Sequence, residues 1–177
     1  MKLVELSVKD GKDVYDMLQR IGYDENAFRN DVHGMSYDQY TSWLNLQHSW
    51  SKGELLPNGY VRQWTYWLKT DENIPVGYGK LREQVTEESR CFGGNLGFAI
   101  DPLWRGKGYG NCLFLLLLHK ATEKKIIEVF STVEKYNYAS KKIHEKYGGY
   151  LVKEDMKRWY FSFELSDRFK EGDIINA

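Results

Sequence analysis

An arginine and three glycines at every second position, Arg105-Gly106-Lys107-Gly108-Tyr109-Gly110, follow the apolar run from Gly97 to Ile100. A helical pattern from Asn111 to Lys125 comes next. That order spells a strand, a turn and a helix whose first backbone N–H groups are bare. Glycine at 106, 108 and 110 removes the side chains that would keep a ligand from those groups. Bare N–H groups at the positive end of a helix dipole favour phosphate. Spacing excludes two familiar phosphate loops. A Walker loop needs Gly-Lys followed by Ser or Thr, and here Gly108 follows Lys107. A dinucleotide fingerprint needs G-x-G-x-x-G, and here Asn111 stands where the third glycine belongs.

A second constellation is Asn137-x-x-Ser140-x-x-Ile143-His144-Glu145-Lys146-x-Gly148. Asn137 follows a strand pattern and is placed to cap the next helix. An unperturbed histidine titrates near neutral pH, which makes His144 a candidate proton donor, the alternative being a helix histidine with no chemical role. Cys112 lies at the start of the long helix, where a thiol pKa can fall. A small apolar packing role accounts for it better than a nucleophilic one. Trp43, Trp50, Trp64, Tyr66 and Trp67 are close in sequence. They would line an amine pocket through cation–π contacts or, for most of them, pack a core.

Arg105-x-x-Gly108-x-Gly110, taken with the Asn137-x-x-Ser140 block, resembles the GNAT superfamily of N-acetyltransferases. The helix closed by Gly148-Gly149 and the late strand Lys157 to Tyr160 look like a subgroup of bacterial acetyltransferases. The resemblance implies acetyl-coenzyme A as co-substrate. It implies that Arg105, Gly106, Lys107, Gly108, Tyr109, Gly110 and Asn111 hold the pyrophosphate, chiefly through backbone amides. It implies that the strand end at Phe98, Ala99 and Ile100 offers backbone groups to the pantetheine amides, and that Asn137 and Ser140 meet the same molecule. Transfer would be direct, to a primary amine of a small molecule or peptide. His144 stands where many members carry a tyrosine proposed to protonate the departing thiolate, so the resemblance implies that role for His144. The same departure supports an alternative, a catalytically weak acyl-coenzyme A binding or sensor module. For the general base, Glu83 and Glu134 are candidates, Asn95 stands where some members carry a carboxylate, and a water chain would also serve.

The elements that must position these residues follow from periodicity and turn chemistry. Met1–Val8 alternates weakly, and Asp10–Ile21 carries Val14, Met17, Leu18 and Ile21 on one helical face. Ser36 and Gln39 form a capping box for a second helix that ends at Gly53. Tyr60–Leu68 and Ile74–Val85 read as strands about a turn, Thr86–Gly94 as a loop and Asn95–Asp101 as a strand. After the long helix come strand Ile126–Val133, helix Asn137–Tyr147, and strands Tyr150–Met156 and Lys157–Leu165. The order β-α-α-β-β-β-α-β-α-β-β implies an α/β protein with a mixed, mostly antiparallel sheet, helices on both faces and at least one parallel crossover. It is also the order of the GNAT fold. The expected organisation is one domain over 1–165 and a polar tail over 166–177.

Bulk properties narrow the partners. The chain has 177 residues, with 25 Lys and Arg against 25 Asp and Glu. That balance argues against nucleic acid and against an anionic membrane. Two cysteines form no disulfide framework, and neither His33 nor His48 has metal-ligand spacing. No apolar run reaches membrane-spanning length, and Met1–Gly11 lacks the apolar centre of a signal peptide. A cytoplasmic protein is expected, and exposed aromatics in the last strands permit a homodimer.

Overall fold

In the computed structural model, residues 1–91 and 93–165 are described. The expected polar tail lies outside them. The elements are β1 (Lys2–Glu5), α1 (Lys12–Arg20), β2 (Asp24–Glu25), β3 (Phe28–Arg29), α2 (Tyr37–Lys52), β4 (Gln63–Lys69), β5 (Pro75–Arg82), α3 (Glu87–Cys91), β6 (Leu96–Ile100), a 3-10 turn (Pro102–Trp104), α4 (Tyr109–Glu123), β7 (Glu128–Glu134), α5 (Tyr138–Lys146), β8 (Tyr150–Glu154) and β9 (Arg158–Glu164).

Every strand and helix expected from periodicity is present, with ends that differ by at most about three residues, some shorter and some longer than expected. Ser36 caps α2 as expected: its side chain accepts from the Gln39 N–H, and the Gln39 side chain returns to the Ser36 backbone. Three pieces lie where a loop was expected: the small β2–β3 hairpin, α3 and the 3-10 turn. Each is too short for periodicity to register.

Strands β1-β4-β5-β6 form one antiparallel sheet and β7-β9-β8 another. β4 is buried along its whole length, so its two faces belong to two cores. Trp64, Tyr66 and Leu68 join Leu113, Leu117 and Leu118 of α4 on one side. Trp67 joins Met17 and Leu18 of α1 and Tyr40, Trp43 and Leu44 of α2 on the other. Period-2 alternation in one strand thus holds helices on both faces.

The expected parallel crossover is β6-α4-β7, but its two strands form no ladder. They meet only at their starts. Asn95 is fully buried there; its Nδ2 donates to the Glu128 carbonyl at 2.8 Å and its Oδ1 accepts from the Phe130 N–H at 2.7 Å. The Asn95 backbone N–H also donates to the Phe130 carbonyl at 2.9 Å, so a side-chain amide and a backbone bond join the strands here. Gly94 makes this close approach possible, since a Cβ there would lie 1.9 Å from the Phe130 oxygen. Beyond this staple the strands diverge. No helix among the described residues is long and apolar enough to cross a membrane.

Candidate active site

A cleft of about 810 Å³ opens where β6 and β7 part. One wall is the free edge of β6, the turn after it and the first turn of α4. The opposite wall is the end of β7 and one face of α5. The β2–β3 hairpin covers the near end, over Lys80 and Arg82 of β5.

The glycine turn presents its amides as the sequence predicts. Gly108 is the N-cap of α4 with φ 85°, and no side chain caps that helix. A left-handed φ is cheap only for glycine. Among the described residues, the N–H groups of residues 106–110 have no protein partner, and the first amides bonded back to the turn are those of Asn111 and Cys112, to the Gly108 carbonyl. Four orphan donors are normal at a helix start. Here Gly106, Gly108, Tyr109 and Gly110 line a cleft, so their amides could hold an anionic group.

Phe98, Ala99, Ile100, Arg105, Gly106, Gly108, Tyr109, Gly110, Asn111, Asn137, Ser140 and His144 all line this cleft. Lys107 does not: its Nζ lies 3.4 Å from the Leu103 carbonyl and 4.7 Å over the Trp104 ring. Arg105 is partly committed. Its Nε donates to the Ile100 carbonyl at 3.0 Å, and its Nη2 pairs with Glu25 at 2.9 Å, which ties the hairpin to the turn. Asn137 caps α5, with Oδ1 accepting from the Ser140 N–H at 3.2 Å.

His144 is placed in the core and is 1% exposed. Its Nδ1 lies 2.8 Å from the Ser140 carbonyl, so Nδ1 carries the hydrogen, and Nε2 accepts from the Ser131 hydroxyl at 2.9 Å. Rings of Phe98, Phe114, Phe161 and Phe163 surround it. Burial pushes its pKa down to about 4, only partly opposed by the Ser140 carbonyl. A neutral imidazole with both nitrogens engaged has no easily lost proton at pH 7. Burial also raises the Cys112 thiol pKa, the opposite of an activated nucleophile. Glu83 pairs with Arg62 and Glu134 with Arg158, and neither carboxylate lines the cleft. Of the aromatic group, Trp43, Trp64, Tyr66 and Trp67 are buried core, whereas Trp50 stacks near Tyr60 beside Arg82.

Sequence reasoning missed Glu25, Arg29, Lys80 and Arg82. Lys80 and Arg82 could have been found: charges at i and i+2 in the otherwise apolar and glycine strand Val76–Arg82 share a face that must meet something polar. Lys80 is buried, and burial lowers its pKa to about 8, opposed in part by Asp31. The hairpin residues carry no such periodic signal.

Residues 3–149 match the family described as acetyltransferase (GNAT) domain. No curated protein matches the sequence. Among solved structures, a spermidine N-acetyltransferase SpeG chimera from Vibrio cholerae and hSSAT superposes with TM-score 0.64 at 14% identity, covering 93% of this chain and 97% of that one. The Campylobacter jejuni N-acetyltransferase PseH superposes with TM-score 0.62 at 15% identity, over 93% and 98% of the two chains. The same protein solved with acetyl-coenzyme A gives 0.60 at 14%, over 93% and 99%. At these identities the likeness establishes the fold. Matched over most of its length by the family profile, with the glycine turn, the splayed strands and the Asn137 cap around one cleft, the chain belongs to the GNAT acetyltransferases, enzymes that use acetyl-coenzyme A.

Proposed function

We propose that this protein transfers an acetyl group from acetyl-coenzyme A directly to a primary amine of a small molecule or peptide, and that it does so in the cytoplasm. The observation that carries the reading is the run of amides from 106 to 110, unpartnered among the described residues, of which Gly106, Gly108, Tyr109 and Gly110 line the cleft between β6 and β7. Those amides and the α4 dipole would hold the pyrophosphate. Arg105 would add charge without leaving Glu25. The unpaired edge of β6 at Phe98, Ala99 and Ile100 would bond the pantetheine amides as a neighbouring strand would. A backbone N–H of that edge would face the thioester oxygen and stabilise the negative charge that grows there. Asn137 and Ser140 would close the opposite wall, with Asn137 capping α5 at the same time.

The donor supplies an activated acetyl carbon. The amine nitrogen forms the new C–N bond, the C–S bond breaks, and the nitrogen's proton passes through water to the departing sulfur. His144 then serves as the neutral core of α5 rather than as the acid. Among the described residues Glu25 is the one carboxylate lining the cleft, and its engagement with Arg105 leaves water as the path for the proton. That absence of a free base also favours a second reading, an acyl-coenzyme A sensor with weak catalysis. A second copy of the chain would dock on the exposed edge strand β8, at Tyr150, Leu151 and Val152.

Calorimetric titration with acetyl-coenzyme A, followed by thiol release with an amine panel, tests the proposal. Binding in the micromolar range, on the order of −8 kcal/mol, with thiol release on adding an amine supports transfer. Binding without release favours the sensor. No binding removes both.

A further inference from the structure

We propose that the acceptor amine also carries an anionic group, a carboxylate in the first instance, and that Arg82 and Lys80 bind it under the β2–β3 hairpin. This rests on the acetyltransferase reading and names the substrate class of the same cleft.

The placement comes from β-sheet register. Lys80 pairs with Gly97, and the Arg82 N–H bonds the Asn95 carbonyl, so both cations lie beside the start of β6. The amide cradle follows the other end of β6. Three to five residues of strand separate the two, roughly 10–16 Å. The cations therefore sit away from the diphosphate, at the end where an acceptor has room.

The charge count points to an anion. Arg29, Lys80 and Arg82 line this end of the cleft; among the described residues Asp31 is the one carboxylate ion-paired with any of them, and Glu25 of the β2–β3 hairpin is paired with Arg105 instead. Arg29 already holds Asp31 at 2.6 Å, leaving Lys80 at 3.9 Å. Arg82 makes no ion pair among the described residues; its Nη1 donates to the Gly94 carbonyl at 2.9 Å. Lys80 donates to the Arg29 carbonyl at 2.7 Å and lies 5.2 Å and 5.1 Å from the rings of Phe28 and Tyr78. Burial lowers the pKa of both cations. Cations removed from water without a counter-charge are costly, and a bound anion relieves that cost. The Arg82 guanidinium offers the fork that fits a carboxylate. A polycationic amine would meet repulsion at the same place.

The test compares matched acceptors in thiol release: an amino acid, the amine lacking its carboxylate, and the amine bearing a phosphate monoester instead. The anionic acceptors should have kcat/KM at least about tenfold higher, carried by KM, with the carboxylate ahead of the phosphate. Arg82→Gln should lower kcat/KM for the anionic acceptor at least about tenfold, leaving the uncharged amine within roughly twofold and KM for acetyl-coenzyme A unchanged. Arg82→Lys, which keeps the charge and guards against a folding artefact, should recover part of the loss. Equal use of charged and uncharged amines, or equal loss for both in Arg82→Gln, overturns the anion site while acetyl transfer stands. If acetyl-coenzyme A binds but no amine releases thiol, acetyl transfer falls. Calorimetric titration of the amino acid into the coenzyme A complex then decides the anion site by itself, and affinity unchanged by Arg82→Gln overturns it.

Discussion

His144 shows how a residue's chemistry is set by its surroundings. Its unfolded-state pKa is near 6.5 and its folded value is about 4, so the unfolded chain binds the proton more tightly. The stability from keeping His144 neutral is fully present above pH 6.5 and is lost as pH falls from about 6.5 to about 4. That loss is about 3 kcal/mol, which should appear as a fall in Tm over this range. In His144→Phe the fall should be shallower, although the lost bonds to Ser131 and Ser140 lower stability at every pH. With a buried neutral imidazole, the pH dependence of kcat above pH 6.5 should be the same in wild type and variant. A changed kcat profile with an unchanged Tm profile would return His144 to the chemistry. Asn137 offers a second residue-level separation. Asn137→Ala should cost about 1 kcal/mol in urea unfolding from the lost cap. If Asn137 also meets the cofactor, Kd for acetyl-coenzyme A should rise as well; a stability loss with unchanged Kd would leave it only a cap.

At the scale of elements, the cleft depends on two strands meeting and then parting. The Asn95 amide and the Gly94 backbone fix the meeting point. Gly94→Ala forces the β6–β7 junction apart and should cost at least about 2 kcal/mol of stability. The start of α4 is the second element on which binding depends. Gly108 has φ 85° and open space around its missing side chain. Gly108→Glu therefore brings strain and a negative charge to the amide cradle and should abolish acetyl-coenzyme A binding in calorimetry. Undiminished affinity would mean that the cradle holds no phosphate. The glycine turn, the α2 capping box and the Asn137 cap were legible because each is a local bargain between neighbouring residues. The β2–β3 hairpin was not, since a pair of two-residue strands is tied down by the Glu25–Arg105 and Lys80–Arg29 contacts to distant elements.

For the whole molecule, equal numbers of acidic and basic residues conceal an uneven distribution. Among the described residues, seven charged side chains line the cleft: Arg29, Lys80, Arg82, Arg105, Lys142, Lys146 and Glu25, six of them cationic. Affinity for acetyl-coenzyme A should consequently fall as salt rises, despite zero net charge. A Kd independent of ionic strength would mean that neutral contacts dominate. β8 is exposed at every residue and, among the described residues, leaves one edge of its sheet unpaired. Strand edges of this kind invite pairing with another chain. If a homodimer forms there, Leu151→Lys should convert it to a monomer in sedimentation without changing acetyl-coenzyme A affinity.

The sequence by itself determined the helices and strands, the phosphate-type turn and the Asn137 cap. Those features rest on periodicity and on contacts within a few residues, which any reader of the chain can count. Only the tertiary structure decided that β6 and β7 form no ladder and meet at a junction where the Asn95 side-chain amide bonds β7. It also decided that His144 is neutral and that Lys80 and Arg82 share a cleft with the glycine turn. Burial and charge surroundings are sums over residues far apart in the chain. Four phenylalanines from α4, β6 and β9 enclose His144, and a hairpin fifty residues upstream covers Lys80. Spacing along one strand tells that Lys80 and Arg82 share a face, but not which distant residues that face meets.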